Sequence, residues 1–213
     1  MTPRAARTRG VLPAAGILIV AGAAYVLLGN AVSHVPPMGI DAAARRLVGE
    51  APGLAKIFTE SCLWPVLVTF GLIGCVVAVR SSAWRARIVF AIVTTLVGWQ
   101  TSNVLKDVFA RPRPPYWIVF HETTYAYSSG HAMFATIVYW LWAYFVARSS
   151  LPNAVRVPLC CALALWGGGV IWSRLALGAH YPTDLIGGVL LGIALLALAT
   201  LIAHAVAPRT SVL

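Results

Sequence analysis

Six long apolar segments place the strongest limit on what this chain can fold into. Each is close to the ~20 residues that a helix needs to cross a lipid bilayer. Only 10% of the residues are charged, against about a quarter in soluble domains, and the mean hydropathy is +0.82. Backbone polar groups inside lipid must be satisfied within the protein, and unbroken apolar runs without alternation favour helices over a barrel. The segments lie at about residues 11–28, 61–79, 88–105, 130–147, 158–175 and 185–206.

These segments predict an all-α fold, an integral membrane bundle of six transmembrane helices in one domain spanning residues 1–213. The first segment has the basic start of a signal peptide, but its apolar run is long for the core of one, so we expect a retained helix. A short interfacial helix is expected in the first outer loop, residues 30–60, where Asp41 in "DAAARRLVGE" suits a helix cap. The sequence does not distinguish a lid from a connector in this loop.

The basic residues indicate how the bundle is oriented. Sixteen Lys and Arg residues stand against six acids, a formal charge of +10. Nine of the bases and none of the acids fall on one side of the predicted spans, and the positive-inside rule makes that side cytoplasmic. Both termini then lie in the cytoplasm, with the chain in the inner (plasma) membrane, and the excess charge is a topology signal rather than a nucleic-acid surface. The nine are Arg4, Arg7, Arg9, Arg80, Arg85, Arg87, Arg148, Arg156 and Arg209.

Three polar clusters fall on the opposite, outer side of the predicted bundle. They read "KDVFARPRP" (residues 106–114), "YSSGHAMFA" (127–135) and "SRLALGAHYPTD" (173–184). Each has a plain structural explanation when taken alone, because bases at helix ends commonly anchor the interface and a histidine there is commonly a polar cap. Asp184 in particular suits the N-terminus of the last helix. These explanations do not account for the combination of all three clusters on one face.

The bases and the helix start in these clusters suit a tetrahedral oxyanion such as phosphate. Lys106, Arg113 and Arg174 supply cations from separate segments, and arginine offers paired donors. Ser129 and the backbone N–H groups around Gly130 add donors at the start of a helix, where the helix dipole is positive. The sequence therefore predicts a phosphate-binding site.

Two histidines and a carboxylate beside such a site indicate catalysis rather than binding alone. Asp184 would orient His180 by accepting a proton from one ring nitrogen, which leaves the other nitrogen to attack phosphorus. His131 would then protonate the departing oxygen as a general acid. No cluster has the spacing of metal ligands, so neither a metal nor another cofactor is expected.

In these motifs the chain resembles the type 2 phosphatidic acid phosphatase superfamily, whose pattern is K-x6-R-P, then P-S-G-H, then S-R-x5-H-x3-D. The first and third motifs match in spacing, while Ser128 stands where the family has proline, a change that loses a rigid turn but no reactive group. Arg111 lies outside the pattern, and we expect it either to aid headgroup binding or to anchor the interface. The resemblance implies that phosphate is held by Lys106, Arg113, Ser129, Gly130 and Arg174, that His131 is the general acid, and that His180, oriented by Asp184, forms a phosphohistidine.

The resemblance and the sidedness predict a metal-independent lipid phosphatase at the outer leaflet. A polyprenyl (undecaprenyl) diphosphate released by cell-wall assembly is the first choice of substrate, followed by phosphatidic acid and phosphatidylglycerophosphate. A lipid phosphotransferase would use the same site, whereas a non-catalytic anionic-lipid binder or transporter would have no use for His180 and Asp184. The expected partners are the lipid phosphate and membrane lipids, with no nucleic acid. The preferred lipid, the oligomeric state and the route of lipid entry stay open.

Overall fold

The structure, a computed structural model, describes residues 3–118 and 123–206, and only the backbone of residues 3–10. The side chains of Arg4, Arg7 and Arg9, and all of Glu122 and Arg209, lie outside this part. Within it the chain is helical and contains no strand, in agreement with the predicted all-α fold. The α-helices are α1 (Pro3–Ser33), α2 (Ile40–Ala43), α3 (Pro52–Glu60), α4 (Trp64–Arg80), α5 (Ser82–Phe109), α6 (Gly130–Phe134), α7 (Leu141–Ala147), α8 (Asn153–Ala176) and α9 (Pro182–Val206).

Five helical rods among the described residues are long and apolar enough to cross a bilayer. They are Val11–Ser33, Ser82–Phe109, Gly130–Ala147, Asn153–Ala176 and Pro182–Val206. Helices α3 and α4 pass the same test together but are bent by 44° at a short break, so the count is five, or up to six if the bent pair is one span. The helical membrane bundle is therefore confirmed, while a count of six spans stays a prediction.

The first outer loop contains more helix than the sequence suggested. The expected short helix corresponds to α2 and the 3-10 turn Ala44–Leu47 that follows it, and its position relative to the membrane surface stays a prediction. Helix α3 is an additional element, lying in residues assigned to the loop. Asp41 does not cap its own helix, whose first turn follows Gly39 without a side-chain cap, so that expectation is wrong. The Asp41 carboxylate is instead buried against α9.

Small residues on α9 let this helix approach the start of α6 closely. A Cβ added to Gly188 would collide with the Ser129 carbonyl oxygen and lie 2.8 Å from the Ala132 Cβ. One added to Gly187 would lie 2.5 Å from the Tyr127 ring. Since α9 carries Asp184 and α6 carries His131 in their first turns, this close approach brings the second and third polar clusters together.

Helix α6 continues without a break through a π-helical segment, Ala135–Trp140, into α7, so the three form one rod from residue 130 to residue 147. The inner face of this rod is buried in the main apolar core, which includes Met133 and Ile137 from the rod, Tyr25 from α1 and Leu191 from α9. Because the rod is packed on several sides, the position of its polar N-terminus is fixed by the core below it.

Candidate active site

Lys106 and Arg113, two of the three bases of the first cluster, meet at Thr124. Lys106 lies in the last turn of α5, and its Nζ donates to the Thr124 hydroxyl over 3.2 Å. The Arg113 guanidinium donates through Nη2 to the same hydroxyl over 3.0 Å and through Nε to the Thr124 carbonyl over 2.6 Å. Thr124 was not among the predicted site residues, because nothing in the local sequence pattern distinguishes it.

Arg174 and His131, from the third and second clusters, share another threonine. Arg174 is buried in the last turn of α8, and its Nη1 donates to the Thr59 hydroxyl over 2.6 Å. The His131 imidazole makes a hydrogen bond to the Thr59 backbone, and its Nε2 has no partner among the described residues. Thr59 belongs to α3, the helix that the sequence analysis assigned to a loop, so its part in the site was not predicted.

His180 lies between the cations and Asp184. Arg113 Nη1 is 3.2 Å from His180 Nε2, and it also donates to the Ala179 carbonyl over 3.1 Å. On the other side of the ring, His180 Nδ1 is 3.6 Å from Asp184 Oδ2. That distance is too long for a hydrogen bond, so the predicted pair lies in the expected direction but is not bonded in this structure. Because a guanidinium can only donate, its contact with Nε2 places the ring proton on Nδ1, facing Asp184.

The surroundings of His180 favour a neutral imidazole. Burial lowers the pKa of His180 well below its ordinary value, and the charges of Arg113, Arg174 and Lys106 lower it further. A buried histidine facing three cations is neutral near neutral pH, because both burial and the neighbouring positive charges disfavour the protonated ring. The Nε2 lone pair is therefore available to an electrophile once Arg113 turns toward a bound anion.

Asp184 uses both carboxylate oxygens, and one of them caps the helix that carries it. Its Oδ2 accepts from the Tyr181 backbone N–H over 2.9 Å, the geometry of a third helical residue that bonds back to the N-cap. Its Oδ1 accepts from Arg111 Nη1 over 2.5 Å, and the whole residue is fully buried. The capping expected for Asp184 is thus present, and it coexists with the approach to His180.

Ser129 and Gly130 open α6, as predicted for a helix start at the site. The Ser129 hydroxyl accepts from the Ala132 N–H at 3.5 Å as the N-cap. The Ser129 N–H donates to the Asp184 carbonyl over 3.0 Å, which ties the second cluster directly to the third. Of the donors predicted around Gly130, the Ser129 amide is therefore already occupied. Ser128, in the place of the family's proline, is buried with its hydroxyl 3.5 Å from the Tyr25 hydroxyl.

Arg111 fits neither of its two expected roles. Its side chain is buried, with Nη1 on Asp184 and Nη2 on Asp41 Oδ2 at 2.7 Å, so it is not an interfacial anchor. Its guanidinium also lies over the Tyr181 ring, 4.5 Å from the centroid. Arg111 thus faces the carboxylates of the site rather than a headgroup.

An open cavity of about 390 Å³ begins at Arg113. Arg113 stacks over the Trp117 ring at 4.9 Å, and Thr124 and Tyr125 also line the space. Through this cavity the Arg113 side of the cationic cluster opens to the protein surface. Among the described residues, no group of three or more His, Cys, Asp and Glu side chains is placed to hold a metal ion.

The structure therefore brings all eight predicted site residues into one connected cluster at the same end of α5, α6, α8 and α9. Helices of membrane-spanning length, with cations, two histidines and a carboxylate gathered at one end, define a multi-pass membrane protein with a polar cluster at that end. The model of the PAP2 superfamily matches residues 84–207, and the chain belongs to this family. The predicted resemblance is thereby confirmed, since all three motifs lie within the match.

Relatives of the chain include several named lipid phosphatases. It is 35% identical over 114 residues to phosphatidylglycerophosphatase B of Escherichia coli (strain K12), a match covering 52% of this chain and 43% of that protein. It is 29% identical over 147 residues to phosphatidylglycerophosphatase B of Bacillus subtilis (strain 168), covering 67% of this chain and 68% of that protein. Lipid A 1-phosphatase of Rhizobium johnstonii is 33% identical over 95 residues, 43% of this chain and 37% of that protein. The chain thus spans under half the length of the E. coli relative.

A solved structure shares the fold. The crystal structure of a transmembrane PAP2 type phosphatidylglycerolphosphate phosphatase from Bacillus subtilis superposes with a TM-score of 0.73, covering 91% of this chain and 98% of that one. The two sequences are 21% identical, so this likeness establishes the fold alone.

Proposed function

We propose that the protein is a membrane lipid phosphatase that hydrolyses a phosphate ester or diphosphate headgroup through a phosphohistidine at His180. One observation carries the proposal: His180 Nε2 faces Arg113 at 3.2 Å, while Nδ1 faces the Asp184 carboxylate at 3.6 Å. An imidazole that lies between cations suited to bind phosphate and a carboxylate that orients the ring has the arrangement of an activated nucleophile. The relatives' names, phosphatidylglycerophosphatase B and lipid A 1-phosphatase, support the same class of reaction.

The first chemical step transfers the phosphoryl group from the lipid to the protein. Lys106, Arg113 and Arg174 hold the phosphate oxygens and offset the charge that spreads over them in the transition state. The His180 Nε2 lone pair attacks phosphorus, an N–P bond forms, and the bond from phosphorus to the lipid oxygen breaks. His131, protonated once the negative phosphate offsets the surrounding cations, gives this proton to the departing oxygen. The lipid alcohol, or the lipid monophosphate in the case of a diphosphate, therefore leaves with a proton on the oxygen of the cleaved bond.

The second step returns the protein to its starting state. His131, now without its proton, removes one from a water molecule whose oxygen attacks the phosphohistidine phosphorus. The N–P bond breaks, inorganic phosphate is released, and His180 recovers its lone pair. The Asp184 carboxylate stabilises the positive charge that the His180 ring carries between the two steps.

The substrate belongs to the outer leaflet if the bundle has the predicted orientation. Two lipid classes lead the candidates: polyprenyl (undecaprenyl) diphosphate, favoured by an outward-facing site, and phosphatidylglycerophosphate, favoured by the relatives' names. Phosphatidic acid is the third. The orientation itself, with both termini cytoplasmic in the inner (plasma) membrane, is tested with a reporter active only in the cytoplasm, fused after Leu213. If the cytoplasm-active reporter is silent after Leu213 and a periplasm-active reporter works there, the orientation is the reverse of the predicted one.

Phosphate release from a lipid panel tests the function. Purified protein in detergent with EDTA should release inorganic phosphate from at least one of the three lipids, and His180→Gln should abolish the release. His204→Gln, in the last turn of α9 away from the site, is the matched control. A need for added divalent metal, or full activity in His180→Gln, would overturn the mechanism. Incorporation of ¹⁸O from labelled water into the released phosphate separates hydrolysis from a phosphotransferase, which would place the group on a lipid alcohol instead.

A further inference from the structure

Arg111 lies between two buried carboxylates that come from distant parts of the chain. Its Nη2 is 2.7 Å from Asp41 Oδ2 and its Nη1 is 2.5 Å from Asp184 Oδ1. All three residues are essentially removed from solvent, with exposed fractions of 3% for Arg111, 3% for Asp41 and 0% for Asp184. Asp41 belongs to α2 in the first outer loop, so this loop reaches the residue behind His180.

Thr183 joins the same three side chains. Its hydroxyl accepts from Arg111 Nη1 over 2.7 Å and donates to Asp41 Oδ2 over 2.7 Å. Its backbone N–H donates to Asp41 Oδ1 over 3.1 Å. Asp41 therefore caps the first turn of α9 from outside, and both of its oxygens are engaged by the turn that carries Asp184.

The charges in this group do not cancel. Burial alone would lower the pKa of the Arg111 guanidinium, but the charges and hydrogen bonds of Asp184 and Asp41 hold that pKa above its ordinary value, so the residue is a fixed cation. One cation between two carboxylates leaves one negative charge in excess. Without Asp41, Arg111 would neutralise Asp184, and the carboxylate facing His180 would lose most of its ability to attract a proton or a positive ring.

We propose that Arg111 and Asp41 are positioning residues that set the direction of Asp184 and the net charge of the ion group behind His180. Arg111 holds Oδ1, which fixes the rotation of the carboxylate so that Oδ2 points at His180 Nδ1. Asp41 offsets the Arg111 cation, so the group keeps a net negative charge facing the His180 ring when that ring becomes positive on phosphorylation. The inference rests on the proposed function, and it makes the first outer loop a part of the site rather than a connector.

This role predicts an effect on the chemical step and not on substrate binding, because none of these groups belongs to the phosphate-holding set. The excess negative charge is needed only once the His180 ring becomes positive. A purely structural role for Asp41 would instead lower the melting temperature and the folded fraction, which reduces the apparent kcat but not KM, so kcat is referred to the concentration of folded protein.

Asp41→Asn tests the proposal, since asparagine keeps the shape and one of the two acceptor oxygens that face Thr183, but it carries no charge and loses the other acceptor. With the leading lipid substrate, we expect kcat to fall about ten- to a hundredfold. KM should stay within about twofold, as expected for an interaction made only in the transition state. Glu50→Gln removes an exposed acid of the same loop and should leave both constants unchanged. Asp41→Glu restores the charge at the cost of shape, and it should be more active than Asp41→Asn, whereas a structural role predicts the reverse order.

Thr183 supplies a second test if Asp41→Asn does not fold in detergent. Thr183→Val keeps the volume but removes the hydroxyl that links Arg111 and Asp41, and Thr183→Ser keeps the hydroxyl. We expect a lower kcat in Thr183→Val than in Thr183→Ser at comparable melting temperatures. Equal kcat in Thr183→Val and Thr183→Ser, or an unchanged kcat in folded Asp41→Asn, would overturn the inference. The proposed function would still stand as long as the wild type is active. A wild type that releases no phosphate from any lipid would overturn the proposed function itself.

Discussion

The Arg113 guanidinium lies 3.2 Å from His180 Nε2, although the two residues are 67 positions apart in the chain. Arg113, predicted to bind phosphate, thus donates a hydrogen bond to His180 Nε2, the nitrogen predicted to attack phosphorus. An incoming phosphate would draw the guanidinium onto its oxygens and release Nε2 in the same movement, so substrate binding would itself free the nucleophile.

Removal of a cation should raise the pKa of His180. Burial and then Arg113 are the leading causes of its lowered pKa, so Arg113→Gln makes the imidazolium less unfavourable and moves the titration up toward neutral pH. The neutral ring is the reactive form, so the acid limb of the pH–rate profile should move upward by the same amount. NMR titration of the ring, assigned by comparison with His180→Gln, measures the pKa directly.

Lys56→Gln is the control for this titration, because Lys56 is half-exposed and paired with Glu60 at 3.7 Å. It should leave the His180 titration in place. A downward movement in Arg113→Gln would contradict the electrostatic account of the site.

Thr124 should matter for turnover although it carries no charge. Its hydroxyl accepts from both Lys106 and Arg113, so Thr124→Val removes from each base the side-chain contact that the two share. We expect kcat/KM to fall about tenfold, the effect of one hydrogen bond to a charged group. Thr95→Val, which loses only a hydroxyl bond to its own helix, is the control. Equal kcat/KM in the two variants would mean that Thr124 does not hold the cations in place.

Thr59 should act on phosphate binding. Its hydroxyl accepts from Arg174 Nη1 over 2.6 Å in a buried setting, whereas His131 contacts only its backbone. Thr59→Val should therefore weaken inhibition by inorganic phosphate about tenfold or more, with a smaller change in kcat. Thr59→Ser keeps the hydroxyl and should behave like the wild type. The measurement is the competitive inhibition constant for phosphate in the wild type and the two variants. Equal constants would mean that Thr59 does not contribute to phosphate binding.

Gly188 should be needed for the contact between α9 and α6. An alanine there would drive its methyl group into the Ser129 carbonyl, so Gly188→Ala should lower the melting temperature and separate Asp184 from the α6 N-terminus. We expect a loss of at least tenfold in activity, since small displacements of reacting groups are costly. Gly168→Ala, on α8 with open space around the added methyl, is the matched control and should be at least as stable as the wild type. Comparable stability and activity in the two variants would contradict the packing argument.

The motifs were predicted from the sequence because their residue types and spacings are written along the chain. These residues stand at helix ends or in the loops just beyond them, where the apolar runs stop, and the alternation of runs and loops places them on one side; they are Lys106, Arg113, His131, Arg174, His180 and Asp184. Asp184 illustrates this, since its position directly before the apolar run "LIGGVLLG" is enough to predict that it caps the last helix. The partners of these residues could not be predicted in this way. Thr59, Thr124 and Asp41 are ordinary polar residues of loops and helix ends.

Sequence alone therefore determined the membrane-helical class and the placement of the three polar clusters at one end of the helices, because lipid imposes those limits one segment at a time. Only the tertiary structure decided which groups touch. It turned Arg111 from a headgroup ligand or anchor into the centre of a buried ion group, and it placed Asp41 of the first loop behind Asp184. Contacts between residues some 70 positions apart depend on how close two helices come, and that distance is set by packing at positions such as Gly188 rather than by any pattern within a single segment.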